Sequence, residues 1–205
     1  MVQYARQQEV CAVPSGKPLR IVIAEDEGII CLGLKAMLRS LGHRVVATAG
    51  TGIEAVACVK AHHPDLLLLD LNMPEMDGLT AARILAEEHP LPILLLTGYA
   101  PKERVEETAL APVMGWLVKP VDETRLAPAL EVAVARFAER AAAAERAARL
   151  KQQLADHNLI RQAKRLLMAQ GLSEDEAYHK IQAGARRRQI TLAEQALRII
   201  KRGGI

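Results

Sequence analysis

The sequence predicts an α/β protein: a doubly wound, five-stranded parallel sheet, then a long linker helix, then an all-α three-helix module. Three observations lead there. Residues 19–137 alternate short apolar runs with amphipathic stretches, the pattern of a parallel sheet covered on both faces. The unbroken run Leu66-Leu67-Leu68-Leu69 fits a strand buried on both sides. After Thr124 no further strand-like run appears.

The strands are expected at 19–24, 44–48, 66–70, 93–97 and 116–119. Ile29, Ile30, Met37, Leu38 and Leu41 mark the first helix, ended by Gly42. Ala55, Val56 and Val59 mark the second, and Leu79, Ala82, Ile84 and Leu85 the third, ending near Pro90. Val105, Thr108 and Ala109 mark a fourth, and a fifth begins near Asp122. Leu130, Val134, Phe137, Ala141, Ala144 and Ala148 then recur at alternating steps of four and three. That spacing is a seam for helix–helix contact, in cis or as a dimer, along a linker over 124–157; the alternative is a solvated spacer. Leu159, Ile160, Ala163, Leu166 and Leu167 form a further stripe, capped at Gly171. Ser173-Glu174-Asp175-Glu176 and Thr191-Leu192-Ala193-Glu194 are capping boxes opening the last two helices. The polar segment 1–17 is expected to be a flexible tail without a hydrophobic signal core.

Composition bounds the function. The chain has 205 residues, 50% hydrophobic and 25% charged, which excludes collagen-like, disordered and disulfide-scaffold classes. Aromatics are only 2%, so the core must be built from Leu, Ile, Val and Ala. Cys11, Cys31 and Cys58 show no metal or redox spacing, which suits a reducing, cytoplasmic compartment. No apolar run approaches the length of a membrane span. Charge is unevenly placed. Residues 1–123 carry 11 Lys/Arg against 16 Asp/Glu, and residues 124–205 carry 16 against 8, a net of −5 and +8. Any polyanionic partner belongs to the rear half.

The strand ends carry the chemistry. The first ends in Glu25-Asp26, the third in Asp70, the fourth in Thr97 and the fifth in Lys119-Pro120. In open parallel sheets ligands bind at the carboxyl edge, so these groups should converge on one crevice. Carboxylates held this close call for a cation, and a hard, oxygen-seeking ion such as Mg²⁺ fits them. With Lys119 beside it, an ionised Asp70 could attack phosphorus, and the positive charges would neutralise the transferred phosphoryl oxygens. Taken singly, Asp70 could be a turn cap and Lys119 a surface charge.

Those residues, with Asp70-Leu71-Asn72-Met73-Pro74-Glu75-Met76-Asp77-Gly78, Leu96-Thr97-Gly98 and Trp116-Leu117-Val118-Lys119-Pro120, resemble a two-component response-regulator receiver domain over 18–135. The resemblance implies a flavodoxin-like fold with Asp70 as phosphoacceptor. It implies Mg²⁺ held by Glu25, Asp26, Asp70 and the backbone carbonyl of Asn72. Thr97 would be the switch hydroxyl, Lys119 the lysine of the site, and Trp116 the switch aromatic, unless the indole is simply core. Asp77-Gly78 reads as turn and helix-start chemistry. Pro112 stands where the family usually places a glycine after the fourth helix, so that helix and its loop are expected to be rebuilt.

In the rear half, Arg186-Arg187-Arg188 is the sharpest basic patch, with Arg161, Lys164, Arg165 and Lys180 nearby. Such cations give affinity for a polyanion without sequence information, or form a solvated face. Tyr178 is the one aromatic after Phe137, which excludes a multi-ring stacking platform. Ala163-Lys164, Gly171-Leu172-Ser173-Glu174-Asp175-Glu176-Ala177-Tyr178 and the spacing of 181–192 resemble the ANTAR domain over 150–202, a three-helix RNA-binding module. His157, Arg165 and Arg186 depart from that family's usual arginine, glycine and methionine.

Together the resemblances imply a non-enzymatic response regulator that assists only its own phosphorylation and dephosphorylation. A sensor histidine kinase would phosphorylate Asp70, activation would favour a homodimer, and hairpins in nascent leader RNA would be bound for antitermination. The RNA contacts would come from Arg161, Lys164, Arg165, Tyr178, Lys180, Arg186, Arg187 and Arg188. The rival readings are a DNA-binding helix-turn-helix and a protein-docking output.

Overall fold

A computed structural model describes residues 17–98 and 112–203. Its five strands are β1 (Arg20–Ala24), β2 (Arg44–Ala49), β3 (Leu66–Asp70), β4 (Ile93–Thr97) and β5 (Gly115–Val118). All pairings are parallel, in the order β2-β1-β3-β4-β5. The chain order reverses between β1 and β3, so the crevice of this doubly wound sheet opens above the ends of those two strands.

Side-chain alternation sorts the strands into two cores. Val22, Ala24, Leu67, Leu69, Ile93 and Leu95 pack against α2 (Gly52–His62) and α3 (Gly78–Glu88). Ile21, Ile23, Leu66, Leu68, Leu94 and Leu96 pack against α1 (Gly28–Ser40) and the start of α4 (Glu123–Ala169). The four consecutive leucines are fully buried because each face meets its own layer of helices. Cys31 joins the second core as a small apolar side chain, and Cys58 packs partly buried against the first.

Three helices start on glycine for unequal reasons. A Cβ on Gly28 would meet nothing within 4 Å. One on Gly52 would lie 2.5 Å from the Met76 carbonyl oxygen, and one on Gly78 would lie 2.2 Å from the Asp70 carbonyl oxygen. At the latter two positions main-chain atoms of the β3–α3 loop and of the end of β3 are in the space a side chain would need. Asp77 caps α3, its carboxylate accepting from the Thr80 N–H at 2.8 Å and the Thr80 hydroxyl at 2.9 Å.

The largest difference from expectation is α4. The fifth sheet-covering helix, the linker and the first helix of the rear module form one 47-residue helix without a break. The stretch between the two apolar stripes is rich in Ala, Glu, Arg and Lys, all good helix formers, and holds no glycine or proline. The chain divides into two compact units, Met1–Ala141 and Ala142–Ile205, within this helix. Of the expected seam, Leu130, Val134 and Phe137 pack in cis on the second core, while Ala144 and Ala148 are exposed. The second unit buries Ala163 and Leu167 of α4, Ala177 and Ile181 of α5 (Glu174–Arg188), and Ala196 and Ile199 of α6 (Leu192–Arg202). Both expected capping boxes are present, at Ser173/Glu176 and Thr191/Glu194. The fourth helical pattern, Tyr99, Cys11 and most of the 1–17 tail lie outside the described residues.

One consequence concerns pH. The Leu19 N–H donates to His43 Nδ1 at 3.3 Å, a contact that needs the neutral ring. Burial holds the His43 imidazole below its ordinary value of 6.5, against the opposing charge of Glu131. The unfolded chain therefore takes up the proton first on acidification. His43's contribution is fully present above about pH 6.5 and is lost as pH falls toward the depressed value. Denaturant unfolding above and below that value should show a larger stability loss in the wild type than in His43→Gln. Identical losses would rule this role out.

Candidate functional site

The carboxyl ends of β1, β3, β4 and β5 bring together the residues expected to meet. Glu25 follows β1, its N–H held by the Ala49 carbonyl at 2.9 Å. Asp70 ends β3, between the register partners that place Leu69 beside Ala24 and Asp70 beside Leu96. Lys119 follows β5, and its N–H donates to the Thr97 carbonyl at 2.8 Å, which sets the lysine beside the end of β4. The Lys119–Pro120 peptide is cis.

The lysine ammonium is shared between two acids. Lys119 Nζ lies 3.0 Å from Glu25 Oε1, 2.8 Å from Glu25 Oε2 and 3.2 Å from Asp70 Oδ2. The side chains are 15% exposed for Lys119, 0% for Glu25 and 5% for Asp70. Oε1 of Glu25 also accepts from the Glu27 N–H at 3.3 Å, while Oε2 makes the shorter contact with the ammonium. Asp26 is exposed at the mouth of the crevice.

Electrostatics follow from this crowding. Burial pushes the Asp70 carboxyl above its ordinary range; Lys119 pulls part of that back, and Asp26 adds to the rise. Burial likewise raises Glu25, with Lys119 opposing and Asp70 adding. For Lys119 burial works against the charge, but the hydrogen bond to Glu25 and the charge of Asp70 outweigh it and hold the amine above its usual value. One cation thus faces three carboxylates, and the cluster has an unmet need for positive charge.

Glu25, Asp26 and Asp70 each offer an oxygen, and these atoms lie within 4.8 Å of one another. Among the described residues this is the one cluster of three or more potential metal ligands. An all-oxygen donor set of three clustered carboxylates beside one ammonium fits a hard divalent cation such as Mg²⁺.

The other expected site residues are placed as follows. Thr97 is buried at the end of β4. Asn72 is exposed in the loop two residues beyond Asp70. Trp116 is half-buried and packs against the first core. Pro112 and Val113 are half-buried just before β5. Beyond the turn and helix-start chemistry expected of Asp77-Gly78, Gly78 is also what lets α3 approach the Asp70 peptide. The run of nine residues from Asp70 to Gly78 held no signal for that contact, which depends on backbone placement.

The expected basic residues of the second unit are distributed over α4 and α5. Arg186, Arg187 and Arg188 are consecutive in the last turn of α5, so they point about 100° apart around it. Their position also suits the negative end of the helix dipole. Arg188 turns back to the Gly184 carbonyl at 3.4 Å. Lys164 is half-buried and paired with Glu174, joining α4 to the start of α5. Arg161 donates to Asn158 at 2.7 Å. Arg165, Tyr178 and Lys180 are exposed. Arg186, which stands at the family's usual methionine position, is exposed, while neighbouring Ala185 is buried.

Residues 21–131 match the response regulator receiver domain, and residues 148–200 match the ANTAR domain. The chain is 39% identical over 180 residues to the transcriptional regulatory protein PdtaR of Mycobacterium tuberculosis, spanning 87% of this chain and 88% of that protein. The signal receiver domain of a modulated diguanylate cyclase from Desulfovibrio desulfuricans G20 is 29% identical, with a TM-score of 0.56 over 60% of this chain and 99% of that one. A chain of the CheX-CheY-BeF3-Mg²⁺ complex from Borrelia burgdorferi is 25% identical, with a TM-score of 0.52 over 56% of this chain and 88% of that one. Among the described residues no helix is long and apolar enough to cross a membrane. With its acidic crevice on a five-stranded sheet and its capped helices later in the chain, the protein belongs to the response regulators that join a receiver domain to an ANTAR domain, a regulator with an RNA-binding output.

Proposed function

We propose that Asp70 accepts a phosphoryl group from a sensor histidine kinase and that the modification controls binding of hairpins in nascent leader RNA, and so antitermination. The observation that carries this is the convergence of Glu25, Asp26, Asp70 and Lys119 at the strand ends, in a chain that also matches the ANTAR domain. The transcriptional regulatory role named for PdtaR supports the same output.

In this reading Glu25, Asp26, Asp70 and the Asn72 carbonyl hold Mg²⁺, which supplies positive charge to the phosphoryl oxygens. A carboxylate oxygen of Asp70 attacks phosphorus, and the bond from phosphorus to the donor breaks as the new one forms. Lys119 leaves its contact with Asp70 for a phosphoryl oxygen, and the Thr97 hydroxyl turns to another. Trp116, half-buried before phosphorylation, repacks inward. The product carries roughly −1.5 to −2 charge. It biases a two-state receiver toward a dimerising form. Two RNA modules held together then gain avidity on the order of 10²–10⁴. The regulator works in the cytoplasm, where its RNA is made.

The test uses the full chain with acetyl phosphate and Mg²⁺, followed by binding to a hairpin RNA and a duplex DNA at one stated salt concentration. Hairpin binding should be at least about tenfold tighter than duplex DNA binding and should tighten further on phosphorylation. Equal, weak, salt-driven binding to both nucleic acids would defeat the RNA reading.

A further inference from the structure

Outside the acidic crevice, the second unit carries a hollow with a chemistry of its own. Ile190, Glu194, Leu197, Arg198 and Lys201 line an open depression of about 210 Å³. The last four residues fall at i, i+3, i+4 and i+7, one face of α6, and Ile190 closes the end from the preceding turn. Ala193, Ala196 and Ile199 are turned inward and buried. A Cβ on Gly184 would meet the Gln195 amide at 2.5 Å, so α6 seats its glutamine directly over that glycine. The rotation of α6 is thereby set, and the face with the hollow is held outward.

The lining combines three kinds of group. Ile190 and Leu197 give apolar walls, and Leu197 keeps 38% of its surface exposed. Arg198 and Lys201 give two exposed cations. Glu194 is fixed in place, because its Oε2 accepts from the Thr191 N–H at 2.8 Å and the Thr191 hydroxyl at 3.2 Å. Its Oε1 stays available to another donor.

We propose that this hollow receives one unpaired RNA base, with the flanking phosphates on Arg198 and Lys201. This rests on the RNA-binding reading above and assigns it a surface none of whose residues was expected from the sequence. A nucleobase has flat apolar faces for Ile190 and Leu197 and N–H donors on its edge for Glu194, and its backbone is anionic. The Glu194 carboxylate repels phosphate, so it orients the base inward and the backbone toward the two cations. Pockets for drug-sized ligands run about 300–1,000 Å³, and this smaller hollow suits a single base. Unpaired bases are also what sequence-specific RNA binders take up. An acidic peptide would match the cations but would set its carboxylates against Glu194.

The experiment compares the full-length wild type with Leu197→Ser, Leu197→Ala and the pair Arg198→Ala/Lys201→Ala. The probes are a hairpin RNA with an unpaired loop and the same stem extended as a perfect duplex. Both Leu197 variants should weaken hairpin binding about tenfold and leave duplex binding unchanged, since stacking of one base is worth about 1–3 kcal/mol. The double variant should weaken both and reduce the salt slope by about two, one per lost phosphate contact. Thermal melts matching the wild type establish that the variants fold, and the helix-favouring Leu197→Ala keeps the test valid if Leu197→Ser does not. Hairpin binding untouched by every variant overturns the proposal and assigns the hollow to a protein partner. Equal losses on hairpin and duplex with the Leu197 variants overturn it as well. A wild type that binds neither RNA defeats the underlying reading before any variant is compared.

Discussion

Replacing Asp70 with Asn should abolish phosphoryl incorporation from acetyl phosphate while leaving the receiver as stable as the wild type or about 1–2 kcal/mol more so. The loss follows because the neutral amide cannot act as the attacking carboxylate. The stability follows from the charge count in the crevice. Glu25, Asp26 and Asp70 cluster beside a single ammonium, which pairs with Glu25 and Asp70, and Asp70 is almost fully buried. Removing its charge relieves both its desolvation and its repulsion of Glu25 and Asp26. Lys119 is not stranded, since Glu25 remains at 2.8 and 3.0 Å. Radiolabel incorporation and urea unfolding, run in parallel, separate the two effects. Label at the wild-type level would remove Asp70 from the chemistry. A large loss of stability would show that the cluster is held together by attraction, contrary to the geometry.

The second large effect is expected at Gly78, a residue with no reacting group. An alanine methyl there would sit 2.2 Å from the Asp70 carbonyl oxygen, 3.1 Å from its carbonyl carbon and 3.2 Å from the Leu71 Cα. Every one of these is main chain, so no side chain can swing aside. Either α3 backs away or the Asp70 peptide shifts. Gly78→Ala should cost about 1–3 kcal/mol by overpacking. It should also slow phosphorylation by one to two orders of magnitude, because a displacement of roughly 1 Å in a reacting group costs about that much. Gly28→Ala is the matched control. It too opens a helix beside the crevice, but its methyl would meet nothing within 4 Å, and both measurements should stay near wild type. Like behaviour of the two variants would rule out a steric role for Gly78.

These two predictions differ in how far each could be read from the residues alone. Asp70, Glu25, Asp26, Thr97 and Lys119 were legible because each ends a predicted strand, and strand ends in a parallel sheet share one edge. The two capping boxes were legible because their chemistry is local. What escaped depends on through-space placement. The sharing of Lys119 between Glu25 and Asp70 spans up to 94 residues of chain. The role of Gly78 is set by how closely two backbones approach. The basic run is a related case. Neighbours in sequence diverge around a helix, so the directions of Arg186, Arg187 and Arg188 follow from the helix and not from their adjacency. Glu194, Leu197, Arg198 and Lys201, separated in sequence, line one hollow. The helix boundary placed before Leu159 does not exist, because two apolar stripes on one strong helix former need not be separated.

The uninterrupted α4 has an evolutionary corollary. Its apolar contacts with the sheet extend to Phe137, and its contacts with the rear core begin at Leu159. The interval between them contributes no residue to either core, so a genetic crossover inside it would hand each side its full complement of packing partners. Chimaeras spliced there, with the helix kept unbroken, should yield two folded halves. The same output could thus be inherited by receivers answering to different signals.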